Sequence, residues 1–232
     1  PYVNAGGNPM GEPAKMSAQI LDSGGRIARE RTLELKAGQE KCEFSDRISS
    51  PSLWSPASPA LYTLRMRLSS GDTQDYRFGF RTFETRGGKF YLNGNVVYLR
   101  GALDQAFYPD TLYTEPSLDD LRAEMRRAKE LGLNLLRCHI KVPDPRYLPD
   151  SKRRGMETLR GMAERDWNHP AIVIVSIINE SWGASLKEAA DRQWLKQAYH
   201  EAKTIVPGWL VDDNSACCDN FHLAGDLADF HQ

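Results

Sequence analysis

Several residues that can move a proton or hold a polar ligand stand directly behind apolar runs. Ala171–Ile178 is the most hydrophobic stretch of the chain, broken only by Ser176, and Asn179 and Glu180 follow it at once. A carboxylate so placed is desolvated, which raises its pKa and lets it stay protonated as a general acid. The asparagine before it can hydrogen-bond a substrate hydroxyl. Arg137 and His139 close a second run, Asp212, Asp213 and Asn214 end a third, and Asp229 and His231 lie near the last residues. Each also has a plainer reading. Glu180 could be a first-turn charge favoured by a helix dipole. Arg137 could sit in a buried ion pair, His139 and His231 could be satisfied core histidines, and Asp104 could be a loop carboxylate. Trp182 suits either a stacking platform for a sugar ring or plain packing. The four cysteines, Cys42, Cys138, Cys217 and Cys218, form no CxxC, and free thiols are expected. The adjacent pair could bridge only with strain. Joined by His222 it lacks standard zinc spacing, so no metal ligand set is expected.

Two kinds of element must position these groups. Up to about residue 84 the pattern has period two: Tyr62, Leu64, Met66 and Leu68 face one way, and Thr63, Arg65 and Arg67 the other. Leu33 and Leu35 begin a similar run, and Tyr76, Phe78 and Phe80 continue it. The stretches Asp22–Gly25, Lys36–Gly38 and Ser69–Asp72 read as turns. Short alternating strands with polar turns predict an antiparallel sandwich. From about Phe90 the pattern changes. Ser117, with Asp120 three residues on, predicts a helix start. Leu118, Leu121, Met125, Ala128 and Leu131 form one face of that helix, and Gly132 ends it. Further helices are expected from Ser151 to Trp167 and from about Ser185 to Ile205, with Lys152-Arg153-Arg154 on a solvated face. Helices alternating with apolar strands predict parallel βαβ units. The strand ends then gather the polar residues named above. Arg86-Gly87-Gly88 opens no helix and is read as a turn.

Composition narrows the functions. The chain has 232 residues, with 30 Lys+Arg against 31 Asp+Glu. That balance argues against nucleic-acid binding or a polybasic membrane anchor. No apolar run approaches the ~20 residues of a membrane span. The opening PYVNAGGNPM has no basic stretch followed by an apolar one, so no export signal is read there. A cytoplasmic protein and one exported by a signal outside this chain both fit. No GxGxxG or P-loop supports a nucleotide-dependent enzyme.

Taken in order, the motifs resemble glycoside hydrolase family 2, the family of β-galactosidases, β-glucuronidases and β-mannosidases. Leu53-Trp54-Ser55-Pro56, Pro59-Ala60-Leu61-Tyr62 and Phe78-Gly79-Phe80-Arg81 resemble the later strands of its immunoglobulin-like sandwich. Phe90-Tyr91-Leu92-Asn93-Gly94 and Leu99-Arg100-Gly101 resemble the entry to its barrel. Asn134–His139 resembles the second barrel strand, and Asn168-His169-Pro170 with Asn179-Glu180 the fourth. The resemblance implies a multidomain β plus α/β protein: an immunoglobulin-like antiparallel β-sandwich over residues 1–84 and a partial (β/α)8 TIM barrel over 85–232. It implies a retaining exo-acting β-glycosidase acting on a terminal β-galactoside or β-glucuronide type of sugar, with two carboxylates ~5–5.5 Å apart. Glu180 would be the acid/base, and Asn179 would hold the sugar 2-hydroxyl. Arg137 would support the nucleophile and His139 would line the pocket. Asp104, Trp182 and His231 would contact substrate. The resemblance also implies a carbohydrate partner and no organic cofactor, and a homo-oligomer is a further expectation.

Departures from the family pattern carry expectations of their own. A complete barrel needs ~250 residues, more than follow residue 84. No Glu occurs after Glu201, whereas the family nucleophile is a Glu ending the seventh strand. Between Ile140 and Ala171 the sequence has one helix and no apolar strand. A third strand is therefore expected to be missing, with a join near Leu148-Pro149-Asp150, and strands seven and eight are expected to lie beyond the chain. The alternative is a non-catalytic carbohydrate-binding or assembly module.

Overall fold

The computed structural model describes residues 12–39, 41–105, 107–112, 117–139, 151–180, 184–217 and 220–230, the side chains of Ser151, Arg153 and Arg154 excepted. The first four strands are β1 (Ala14–Leu21), β2 (Ile27–Leu35), β3 (Tyr62–Leu68) and β4 (Thr73–Phe78). They form one antiparallel sheet in the order β2-β1-β3-β4. Period-two alternation explains why one face is buried. Ala18 pairs with Met66, Ile20 with Leu64, and Tyr62 with Phe78. Ala18, Tyr62, Leu64 and Phe78 make the core of that face, with Phe44, Ile48 and Phe80 packed on it. The other face is polar: Arg65 meets Asp75 bidentately at 2.8 and 2.7 Å. The three expected turns join or end these strands, and Gly25, Gly38 and Gly71 there all have positive φ.

A meander follows: β5 (Phe83–Arg86), β6 (Lys89–Leu92) and β7 (Asn95–Val97). Its two turns are Gly87-Gly88 and Asn93-Gly94, all four with positive φ, as a tight two-residue hairpin demands. Residue 84 falls inside β5.

Parallel pairing then begins. Strand β8 (Gly101–Asp104) pairs with β9 (Leu135–Cys138), and α1 (Leu118–Glu130) connects them. The Ser117 hydroxyl accepts from the Asp120 amide at 3.2 Å and donates to its carboxylate at 2.6 Å. Gly132 takes the left-handed conformation just past the helix. The apolar face expected on α1 is only half covered by the described residues: Leu121 and Ala128 are half-buried, Leu118 and Met125 exposed.

Helix α2 (Ser151–Asp166) precedes β10 (Ile174–Asn179), α3 (Ala189–Ile205), β11 (Leu210–Ala216) and β12 (Asp229–Phe230). Strands β10, β11 and β12 form a parallel sheet in that order. Met156, Leu159 and Ala163 of α2 pack with Ala198 and Ala202 of α3 and with Trp209 and Val211. The spacings of three and four put each set on one helical face. β11 is buried along its whole length although it carries Asp212, Asp213, Asn214 and Ser215. The strand does not end with Asp212, Asp213 and Asn214 as expected but runs on to Ala216. The expected join near Leu148-Pro149-Asp150 lies outside the described residues.

One arginine ties the antiparallel sheet to the parallel one. Arg81 donates from Nε to the Pro170 carbonyl at 2.9 Å, from Nη1 to Gly208 at 2.8 Å, and from Nη2 to Ile172 at 2.6 Å. Gly79 lies beside it, and a Cβ there would come within 2.7 Å of the Pro170 ring. Asn93 donates to the Trp54 carbonyl at 2.9 Å, and Thr85 to that of Asp226 at 3.1 Å.

Candidate functional site

The C-terminal ends of the parallel strands place the expected residues in two groups. In the first, β8 and β9 end side by side. The His139 amide donates to the Asp104 carbonyl at 2.7 Å, and Gln105 Nε2 stands 3.4 Å from His139 Nδ1. Asp104 and His139 are both half-buried.

The second group spans four strands. Arg137, from β9, donates from Nη2 to Asn179 Oδ1 of β10 at 3.0 Å. Its Nε lies 3.8 Å from the Asp229 carboxylate of β12. That carboxylate accepts from the Ser215 hydroxyl of β11 at 2.6 Å. The Ser215 carbonyl accepts from the Glu180 amide at 2.9 Å. Asn179 is buried, at 5% exposure, and Glu180 is half-buried. Glu180 has φ 54°, a left-handed conformation that non-glycine residues rarely keep unless their surroundings enforce it, and one that clusters at functional sites. Arg137, Asn179 and Glu180 thus meet at one place, and Asp104 and His139 stand at the neighbouring strand ends. Trp182 and His231 lie outside the described residues.

Behind this group sits a buried acid–histidine cluster. Asp213 Oδ1 lies 2.8 Å from His222 Nδ1, and its Oδ2 accepts from the Leu223 and Ala224 amides at 2.6 and 3.0 Å. Asp212 accepts from Ser176 at 2.9 Å, and its other oxygen is 3.5 Å from His222 Nδ1. Burial, with 1% of the residue exposed, pushes the Asp212 carboxyl up to about 6 against the Ser176 hydrogen bond. Burial opposes the charged form of His222 as well. There the hydrogen bonds to Asp213 and to the Asp229 carbonyl, with the nearby carboxylates, prevail and hold it above the ordinary histidine value.

One ligand atom from each of Asp212, Asp213 and His222 falls within 4.8 Å of the others, so these are the described residues that could hold a cation. Two ligands of a tetrahedral zinc at ~2.0 Å stand ~3.3 Å apart. The 2.8 Å between Asp213 and His222 is instead the length of a hydrogen bond. Cys42, Cys138 and Cys217 are free thiols; Cys218 lies outside the described residues. A surface concavity on the antiparallel sheet, lined by Asp22, Pro59, Thr63, Arg65 and Arg77 among others, contains none of these strand-end groups.

Ser215 and Gln105 were not legible as site residues. The apolar signal of β11 ends at Val211, which hid the reach of that strand to Ser215.

Comparison with known proteins gives a consistent result. Residues 7–81 match the family model described as glycosyl hydrolases family 2. The chain is 28% identical over 206 residues to a β-galactosidase of Thermoanaerobacterium thermosulfurigenes, covering 76% of this chain and 28% of that protein. It is 29% identical over 196 residues to a putative β-glucuronidase of Formosa agariphila, covering 72% and 24%. Among solved structures, the β-glucuronidase of Parabacteroides merdae superposes with a TM-score of 0.74 at 22% identity, over 86% of this chain and 30% of that one. A β-galacturonidase from Eisenbergiella tayi bound to galacturonate gives 0.73 at 22% identity, over 90% and 42%. The chain spans about a quarter of the length of these curated relatives, and the likeness to the solved structures is one of fold. By that model, over residues 7–81, and by these relatives, the chain is similar to glycosyl hydrolases of family 2.

Proposed function

We propose that the protein containing this chain is a retaining β-glycosidase and that its parallel strand ends form part of the catalytic site. The contact between Arg137 and Asn179, one residue before Glu180, carries the reading. It brings the β9 guanidinium to the end of β10, where the amide and the carboxyl follow one another, at the end where α/β proteins place chemistry. In this reading Glu180 protonates the leaving oxygen and then activates water, and a second carboxylate acts as nucleophile. The Asn179 amide oxygen is taken by Arg137, so its NH2 end is the one turned to the sugar 2-hydroxyl. Arg137 stands by the nucleophile. His139 and Asp104 line the neighbouring wall, with Trp182 and His231 as further substrate contacts. The finer architecture belongs to the same proposal. The four-stranded sheet is one layer of an immunoglobulin-like sandwich within residues 1–84, and β8 to β12 are strands of a (β/α)8 barrel within 85–232. A terminal β-galactoside or β-glucuronide type of sugar is the substrate class.

Glu180→Gln tests it. Loss of a general acid slows a step by about 10²–10⁴-fold. Turnover of an alkyl or sugar β-glycoside, whose leaving group needs a proton, should fall by that much. Cleavage of the glycosidic bond in an activated dinitrophenyl glycoside should be largely spared. Equal turnover of the poor-leaving-group substrate by both proteins would remove Glu180 from the mechanism. Sugar binding with no hydrolysis by the unaltered protein would point to a carbohydrate-binding module.

A further inference from the structure

Asp229 is held more firmly than a residue near a strand end needs to be. Its carboxylate accepts from Ser215 at 2.6 Å. Its peptide is gripped by one imidazole: His222 Nε2 lies 2.8 Å from the Asp229 carbonyl and 3.1 Å from its amide nitrogen. Nδ1 of the same ring bonds Asp213, which is wholly buried and anchored by two further amides. A neutral ring with Nδ1–H directed at Asp213 accepts the Asp229 N–H at Nε2. A protonated ring donates from Nε2 to the Asp229 carbonyl. The ring therefore holds the Asp229 peptide in both states. From this anchorage the carboxylate faces Arg137 Nε at 3.8 Å, and Arg137 Nη2 bonds Asn179 at 3.0 Å.

We propose that Asp229 is a positioning residue: fixed by Ser215 and by the buried Asp213–His222 pair, it sets the Arg137 guanidinium and, through it, the side-chain amide of Asn179. The inference rests on the glycosidase reading above for its effect on turnover, and on geometry alone for its effect on Arg137. Among the described residues Arg137 has a hydrogen-bond acceptor, Asn179, and an ion-pair partner, Asp229, on two different strands. With the bond alone the guanidinium can swing about it; the facing carboxylate restricts that swing and with it the turn of the Asn179 amide.

Asp229→Asn keeps the shape and an oxygen for Ser215 but removes the charge that faces Arg137. In the protein as its gene encodes it, kcat for an aryl β-glycoside should fall about a hundredfold, the scale of a misplacement near 1 Å. KM should change far less. In an Arg137→Ala background the same substitution should cost nothing more, because residues acting through one another are not additive. An unchanged kcat, or a loss that multiplies with that of Arg137→Ala, overturns the proposal. Crystal structures of the unaltered protein and of Asp229→Asn give a second measurement. The Arg137–Asn179 bond should be broken or rotated in the variant, and its persistence overturns the proposal independently. If the unaltered protein hydrolyses no β-glycoside, the glycosidase reading fails, and the crystallographic comparison still decides the role of Asp229.

Discussion

At the scale of single residues, the buried charge of β11 makes a measurable demand. Asp212 holds its proton up to about 6 when folded and loses it near 3.8 when unfolded. Between those values the folded state binds more protons, so stability falls as pH rises through the window and stays lower above it. The cost is about 3 kcal/mol at neutral pH. His222 adds a fall of the same sign: its folded pKa is raised, so its contribution is complete below 6.5 and is lost as pH rises through the folded value. Asp212→Asn, which keeps an acceptor for Ser176, should remove the first of these and be more stable than the parent at pH 7. Urea unfolding between pH 4 and 8 measures this, and identical slopes from pH 4 to 6 would refute it. Residue types alone gave the strand-end group Arg137, Asn179 and Glu180 because each stands at the edge of an apolar run. They did not give the burial of Asp212 and Asp213. Hydropathy reads two adjacent aspartates as a strand end, and the histidine and amides that accommodate them come about ten residues later.

Among the elements, turns and caps were legible because their chemistry is local. The Ser117 cap, the Gly132 stop and the Gly87-Gly88 turn each depend on neighbours within a few residues. The misses have distant or bypassing causes. β10 was expected from Ala171 but starts at Ile174, and the carbonyls of Pro170 and Ile172 before it are occupied by Arg81. α3 was expected from Ser185 but starts at Ala189. The Asp191 carboxylate reaches back to the Ser185 amide at 2.6 Å and ties the approach into a turn. After β11 the chain is fastened by Asp226, which accepts from the Val211 amide at 2.8 Å, Lys203 at 2.7 Å and Tyr199 at 3.0 Å. Burial raises its carboxyl, but these donors outweigh that and hold it below the usual aspartate value. Its contribution is therefore full above 3.8 and is lost as pH falls through the lowered value. Asp226→Ala removes the carboxylate facing Lys203, which keeps its bond to the Trp209 carbonyl, strands the Val211 N–H in a partly buried place, and should cost about 2 kcal/mol in urea unfolding at pH 7. A loss below ~0.5 kcal/mol would show that solvent replaces the fastening.

On the scale of the whole molecule, the motif residues around the first sheet prove to be those at its junction with the parallel one. Gly79, Arg81, Asn93 and Trp54 touch across that boundary or support it. Arg81→Ala leaves three carbonyls without their donor and should cost about 2–4 kcal/mol. It should also split one calorimetric transition into two as the halves uncouple. A single transition with an unchanged midpoint would show that the junction does not depend on Arg81. The same fork has a consequence in time. Its last acceptor, the Gly208 carbonyl, lies 127 positions downstream of the arginine. At ribosomal speeds of about 5–20 residues per second that interval takes roughly 6–25 s. The first sheet can close while the guanidinium is still in water, so the nascent chain carries an open socket on its flank. Only when the strand carrying Asn179 and the turn before β11 have emerged can the two halves lock.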